Sequence, residues 1–286
     1  MRKKKRIRNK HRLYENYSYE EIFNKLVETK EDAIEGLRKA GRYKYMIKTI
    51  KSGPVMEVEL YPLWETKNDV PRIKKGKSRE AQINLNNKNA RKTITRLLNT
   101  NFTKDDLMIS LTYDSEHLPT EDEARRDIQN YIKRIKRYRK RNGLPELKYL
   151  YVIEFSNKPS KKIRVHHHIV MNCMDRDKAE ELWGKGFANT RRLEPNDFGL
   201  EGVARYIAKD LQGSRRWSRS RNLKQPKITK CSTRLTLRKV EKMIRNEIYK
   251  EVFEKMYKDY IYKDSRTMYS DISAGFYIYA RFKRRE

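Results

Sequence analysis

Three of the chain's five histidines stand in one run, Arg164-Val165-His166-His167-His168-Ile169-Val170, within an otherwise apolar stretch. In an extended segment alternate side chains point to opposite faces. His166 and His168 therefore share one face, and His167 joins Val165, Ile169 and Met171 on the other. Two imidazoles so placed can ligate one metal ion. A second extended segment, Lys148 to Phe155, precedes the run, and the polar Ser156-Asn157-Lys158-Pro159-Ser160-Lys161-Lys162 joins the two as a hairpin loop. Pairing Phe155 with Ile163 puts the even-numbered residues of both strands on one face. Glu154 then lies beside His166 and His168, while Tyr151, Ile153 and Phe155 fall with His167 on the apolar side. A carboxylate and two imidazoles with no evident fourth protein ligand describe a metal site with an open position, the form a catalytic metal needs. The plain alternative is three partly buried or solvated histidines that bind nothing.

A second group of chemical interest lies downstream, in Gly199-Leu200-Glu201-Gly202-Val203-Ala204-Arg205-Tyr206-Ile207-Ala208-Lys209-Asp210. Read as a helix, Leu200, Val203, Ile207 and Leu211 form its packed stripe. Tyr206 lies off the centre of that stripe, and Lys209, one turn on, is its neighbour on the same flank. A phenol, with a pKa of about 10, is a poor nucleophile at neutral pH. A nearby ammonium favours the phenolate and can stabilise charge developing on a phosphate. A tyrosine followed by a lysine at this spacing is a common pairing in a chain with 19 tyrosines. Its weight comes from what accompanies it.

The charge balance narrows the partner. Lys and Arg number 69 against 38 Asp and Glu, a net charge of +31, which points to a polyanion. No apolar stretch approaches the roughly 18–20 residues of a membrane-spanning helix, and no signal-peptide core follows the basic start. Nucleic acid is therefore preferred to a membrane surface. Gly213 to Lys230 carries Arg215, Arg216, Arg219, Arg221, Lys224, Lys227 and Lys230 around Trp217, with no acids. Cations for phosphates and an aromatic face for a base suit a single-strand channel. The rival reading is a solvated basic loop with Trp217 tucked into the core. The basic arm at residues 2–12 suits nonspecific phosphate contact, and His11 and His117 read as surface residues. Cys173 and Cys231 have no metal-binding spacing and imply no disulfide framework, so a reducing interior is the default. No G-x-x-x-x-G-K-[ST] sequence occurs, so any duplex unwinding would come from another protein.

The elements that must position these groups follow from periodicity. A basic arm at 1–16 precedes a helical segment at 17–53 carrying Ile22, Phe23, Leu26, Ile34 and Leu37. A strand at Val55 to Tyr61, a loop at Lys67 to Lys77 and a helix at 80–99 come next. Leu107 to Tyr113 reads as a strand. Thr120 with Glu123 forms a capping box that opens a helix with Ile128, Tyr131, Ile132 and Ile135 on one face, and Asn142-Gly143 ends it. After the histidine hairpin come short helices at Asp175 to Trp183 and Leu200 to Leu211, the latter capped by Gly213. A long helix from about Leu237 to Tyr260 and a last strand at Phe276 to Phe282 complete the chain. The expected class is α+β, a central antiparallel sheet with flanking helices. The expected boundaries are 54–231 for the main domain and 232–286 for a C-terminal helix and strand packed on it.

Taken in order, the strand Ile109-Ser110-Leu111-Thr112-Tyr113, then Arg164 to His168, then Tyr206 to Lys209, resemble the rolling-circle replication initiators. These Rep proteins of the HUH endonuclease superfamily are found on bacterial plasmids and small single-stranded DNA phages. Asn86 to Asp114, including Asn101-Phe102, shares the likeness. The resemblance implies a ferredoxin- or RRM-like antiparallel sheet with the histidine strand at its centre. It implies His166 and His168 as metal ligands, Glu154 as the third, Tyr206 as the nucleophile and Lys209 as its helper. Mg²⁺ or Mn²⁺ would be the cofactor and single-stranded origin DNA, as a hairpin or melted site, the substrate. Nicking would leave a 5′-phosphotyrosine link and a 3′-hydroxyl for a host DNA polymerase, with a host helicase opening the duplex in the bacterial cytoplasm. The middle residue of the histidine motif is usually hydrophobic; here it is His167, so which pair binds metal is open to a one-residue ambiguity. Parity with Arg164 and Glu154 favours 166 and 168. Asp210 and the lack of a second nearby tyrosine suit the one-tyrosine type. Conjugative relaxases and single-tyrosine transposases share the chemistry, although motif order favours an initiator. A noncatalytic DNA- or RNA-binding protein is the rival of another class.

Overall fold

The computed structural model describes residues 44–63, 79–116, 118–158, 161–209, 217–270 and 275–285. In chain order its elements begin with β1 (Lys44–Ser52), β2 (Val55–Leu63), α1 (Arg79–Asn101), β3 (Leu107–Thr112), α2 (Glu121–Arg141), β4 (Tyr149–Lys158) and β5 (Lys161–Met171). There follow α3 (Arg176–Glu181), β6 (Ala188–Arg192), α4 (Glu201–Ile207), β7 (Trp217–Arg219), β8 (Lys227–Cys231), α5 (Leu237–Arg245), α6 (Tyr249–Met256), β9 (Tyr260–Ser270) and β10 (Gly275–Arg284). The class is α+β, with two five-stranded antiparallel sheets. Two units result, Arg79–Gln225 and a second formed by Met1–Ser78 with Pro226–Glu286. Among the described residues no helix is long and apolar enough to cross a membrane. The arm at 1–16, the expected helix up to residue 43, the loop at 67–77, His11, His117, Leu211, Gly213, Arg215 and Arg216 lie outside the described residues.

In the unit Arg79–Gln225 the strand order is β6-β3-β5-β4-β7, which places the histidine strand β5 at the centre. Its strands carry apolar residues at both parities, so both faces are covered. On one face Leu107, Ile109, Leu111, Ile153 and Ile169 pack with Ile128, Tyr131, Ile132 and Ile135 of α2. On the other, Met108, Leu150, Val152 and Val170 pack with Ile94, Leu97 and Leu98 of α1 and with Leu200, Ala204 and Ile207 at α4. Each fully buried aliphatic side chain contributes roughly 1.5–3 kcal/mol. The capping box that opens α2 is present: Thr120 Oγ1 accepts from the Glu123 amide, and Glu123 Oε2 accepts from the Thr120 amide at 2.8 Å.

The β4–β5 hairpin fixes the site. Val152 pairs with His168, Ile153 with His167 and Glu154 with His166. The expected Phe155–Ile163 pair does not form. A register irregularity between Glu154 and Ser156 sets Ser156 opposite Ile163 instead. Because this irregularity lies on the loop side of Glu154, the parity that matters survives, and Glu154 sits directly across from His166. The strands also run further into the expected loop, to Lys158 and from Lys161.

The second unit has the strand order β8-β1-β2-β10-β9. β1 occupies residues expected to end the helix at 17–53. Tyr45 and Ile47 alternate inward, and Gly53, at φ 56, turns the chain tightly into β2. The strand expected at Phe276 to Phe282 forms as β10 and pairs with β2 and β9. The C-terminal elements therefore share a sheet with β1 and β2, and this division differs from the expected 54–231 and 232–286. The long helix expected from Leu237 to Tyr260 is two helices: Asn246 caps α5, and Glu247, at φ 55, breaks the helical path before α6. Val240 and Ile244 of α5 and Phe253 of α6 are buried in the same core as Val58, Leu60 and Ile278.

Candidate active site

Glu154, His166 and His168 present ligand atoms within 4.8 Å of one another. Glu154 Oε2 lies 3.2 Å from His166 Nε2 and 3.5 Å from His168 Nε2. The far side of each ring explains why the Nε2 atoms face inward. His166 Nδ1 is 2.9 Å from the Arg164 carbonyl, which can only accept, so Nδ1 carries a proton and Nε2 is the nitrogen turned toward Glu154. His168 Nδ1 is 3.2 Å from Ser110 Oγ of β3, which pairs with it across the sheet. Such outer partners orient metal-binding imidazoles. The contacts inside the triad are charge contacts, not aligned hydrogen bonds: both Glu154 oxygens and His168 Nε2 are buried with no hydrogen-bond partner. Buried polar atoms are nearly always paired, and Glu154 Oε2 and His168 Nε2, buried without a hydrogen bond and grouped with His166 Nε2, fit a divalent cation, while Glu154 Oε1 faces Lys209.

The electrostatics agree. Burial acts to raise the Glu154 carboxyl, but the two imidazoles and the Lys209 ammonium outweigh it and hold it well below the usual carboxylate range. For His166 burial is outweighed by Glu154 and the Arg164 carbonyl, which hold the imidazole above its ordinary value. Burial dominates at His168 and holds it below.

His167 settles on the opposite face, in the core. It is fully buried, its ring 5.6 Å from those of Tyr113 and Trp183, and its Nε2 is 2.9 Å from Tyr113 Oη. Burial, with the flanking imidazoles, pushes it down to about 3, so it is a neutral core residue.

Tyr206 comes to the triad from α4. Its ring centroid is 5.0 Å from that of His168, and the side chain is 43% exposed. Lys209 Nζ lies 5.3 Å from the Tyr206 ring centroid and 3.3 Å from Glu154 Oε1, bridging the phenol and the triad. Arg191 of β6, which the sequence reading did not single out, places its guanidinium 5.4 Å from the same ring centroid. A helix as short as α4 is marginal alone, and α1 holds both of its ends. Asn99 Oδ1 accepts from the Leu200 amide at 2.6 Å, and Asn99 Nδ2 donates to the Phe198 carbonyl at 3.3 Å. Two turns earlier, Arg91 donates to the Ala208 and Lys209 carbonyls at 2.9 and 2.7 Å, satisfying acceptors that the helix end leaves open. Ser110, Asn99 and Arg91 fall in the stretch that carried the resemblance or close to it, but nothing in their spacing announced these roles.

β7 pairs Trp217 with Val152 and Arg219 with Leu150. This puts both on the triad's face of the sheet, with Trp217 in the same cross-strand row as His168. Trp217 is half-buried against the core beneath α1 and α4, and Arg219 is half-buried with one buried Nη1 lacking a hydrogen-bond partner. Arg221 and Lys224 are exposed. The Lys224 backbone is tied at both amide and carbonyl to the Asn101 side chain, at 2.7 and 2.8 Å.

The central strand of this α+β sheet thus offers two histidines, and the neighbouring α4 offers a tyrosine. Residues 106–213 match the family model of the replication-associated protein ORF2/gene II protein, a phage rolling-circle replication initiator family. That segment holds β3, Glu154, the histidine run, Tyr206 and Lys209, so the resemblance seen in the motifs extends over all of them. No curated protein and no solved structure matches the chain.

Proposed function

We propose that the protein is a metal-dependent single-strand DNA nickase and strand transferase that starts rolling-circle replication through Tyr206. The observation that carries this reading is the Tyr206 ring against His168, beside the grouped ligand atoms of Glu154, His166 and His168. A divalent cation held by Glu154, His166 and His168, Mg²⁺ or Mn²⁺, would supply Lewis-acid polarisation of the scissile phosphate. Tyr206 Oη gives up its proton to solvent and bonds to phosphorus, and the bond from phosphorus to the 3′ oxygen breaks. That oxygen takes up a proton to become the 3′-hydroxyl, which a host polymerase can extend. The retained 5′-phosphotyrosine keeps the bond energy for resealing against another 3′-hydroxyl. Lys209 offsets charge at both the phenol and Glu154. In this reading the exposed Arg221 and Lys224 would contact phosphates of the strand, and the half-buried Trp217 and Arg219 would meet it with the parts of their side chains left open.

The test is covalent capture. The full chain, incubated with a random-sequence single-stranded DNA pool and Mn²⁺ and then denatured, should carry DNA, and the Tyr206→Phe variant should carry none. A wild type that binds the pool but never forms an adduct would make the protein a noncatalytic binder. An adduct surviving Tyr206→Phe would assign another nucleophile.

A further inference from the structure

Two cations, not one, face the phenol. Lys209 belongs to the tyrosine motif, but its ammonium also lies 3.3 Å from Glu154 Oε1, so part of its charge is engaged by the carboxylate. Arg191 is differently placed. It projects from β6, opposite Met108 of β3, on the face of the sheet that carries Ser110 and His168. Among the described residues it makes no ion pair, and its one side-chain contact besides Tyr206 is a 3.5 Å approach of Nη2 to Met108 Sδ, a weak acceptor. An exposed guanidinium is thus seated over the nucleophile's ring with most of its donors open to a ligand. Guanidinium donors form a planar fork that matches two oxygens of a phosphate, and this makes arginine the stronger phosphate ligand where geometry is fixed.

Resting on the nickase reading, we propose that Arg191 is a second catalytic cation, gripping the non-bridging oxygens of the phosphate that Tyr206 attacks. A phosphate bonded to the phenol oxygen lies within reach of a guanidinium seated over the same ring. Arg191 exchanges no proton in the step. Tyr206 Oη gives up its proton to solvent and forms the bond to phosphorus, the 3′ oxygen leaves with its electron pair and is protonated, and the guanidinium neutralises charge that grows on the two non-bridging oxygens. The same grip holds the phosphotyrosine until a 3′-hydroxyl returns. Stacking alone would make Arg191 a positioning residue for the ring, and the two roles predict different results.

The probe is the oligonucleotide recovered on the wild-type adduct from the random pool, resynthesised and used at saturation with Mn²⁺. Arg191→Ala should slow adduct formation roughly 100-fold, the loss typical of removing one transition-state donor, with oligonucleotide affinity within about threefold of wild type. Arg191→Lys should recover part of the rate. Added guanidinium chloride should speed Arg191→Ala at least tenfold relative to the same concentration of KCl, and should not speed wild type; a ring-positioning role gives no such rescue. A rate within threefold of wild type, or a loss that guanidinium does not repair, overturns the inference while leaving the nickase reading intact. A wild type that forms no adduct overturns both.

Discussion

His167 shows how one residue can be chemically tempting and structurally spoken for. It lies between two metal-ligand candidates, yet strand alternation turns it into a core already occupied by Trp183 and Tyr113. Its Nδ1 is buried without a partner, a state that a neutral imidazole with its proton on Nε2 tolerates because only a lone pair is left bare. Leucine is of similar size, and the Asp127 carboxylate, beside Tyr113, can receive the phenol's hydrogen bond when the imidazole goes. We therefore expect His167→Leu to change stability by no more than about 1.5 kcal/mol and to bind Mn²⁺ within about threefold of wild type. His168→Ala should lose Mn²⁺ binding. Calorimetric titration and thermal unfolding measure both, and loss of Mn²⁺ affinity in His167→Leu would return His167 to the ligand set. At this scale the sequence is informative wherever one strand or one tight hairpin decides the geometry, which is why Glu154, His166 and His168 were legible. Ser110 and Arg191 were not, because their place beside His168 and Tyr206 depends on pairing between strands remote in sequence.

Among the elements, α4 depends most on its neighbours. The spacing of Leu200, Val203 and Ile207 identified a helix, but its end at Ile207 and the fastening of both ends to α1 come from tertiary contacts. Gly199 is part of that fastening. It holds φ 66, and a Cβ there would meet Asn99 Oδ1 at 2.4 Å, the same oxygen that accepts from the Leu200 amide. Alanine would carry the left-handed backbone penalty of about 1–2 kcal/mol and would push Asn99 off the turn. Arg91→Met would free the carbonyls at the other end. Both changes move the helix that carries Tyr206 while leaving the triad, which is held by strands, in place. Adduct formation should fall at least tenfold in each variant, with Mn²⁺ affinity unchanged. An equal loss of Mn²⁺ affinity would mean that the triad too depends on α4. The capping box of α2 was legible for the opposite reason, since all its bonds are local. β1 and the break at Glu247 were missed because tertiary pairing in one case and a single left-handed residue in the other override a helical pattern.

For the whole molecule, the net charge of +31 identified the kind of partner without saying where it binds. The domain plan was the least legible feature, because β1 and β2 precede the catalytic strands in sequence but share a sheet with β8, β9 and β10, which follow them. Closing that sheet requires contacts across most of the chain, and local periodicity does not reveal them. The arrangement has a consequence that can be measured. Every residue placed at the candidate site, from Arg91 and Ser110 to Lys209, Trp217 and Lys224, falls in one uninterrupted stretch, Arg79–Gln225. That stretch has its own five-stranded sheet and an apolar core on each face. At about 150 residues a unit buries enough surface to fold alone. Expressed by itself, Arg79–Gln225 should unfold cooperatively, bind Mn²⁺ with the affinity of the full chain and form the Tyr206-dependent adduct with the same oligonucleotide. Its affinity for DNA should be weaker and less salt-dependent, because cations outside the stretch no longer contribute to counterion release. A fragment that folds and binds Mn²⁺ but forms no adduct would show that the second unit takes part in the chemistry.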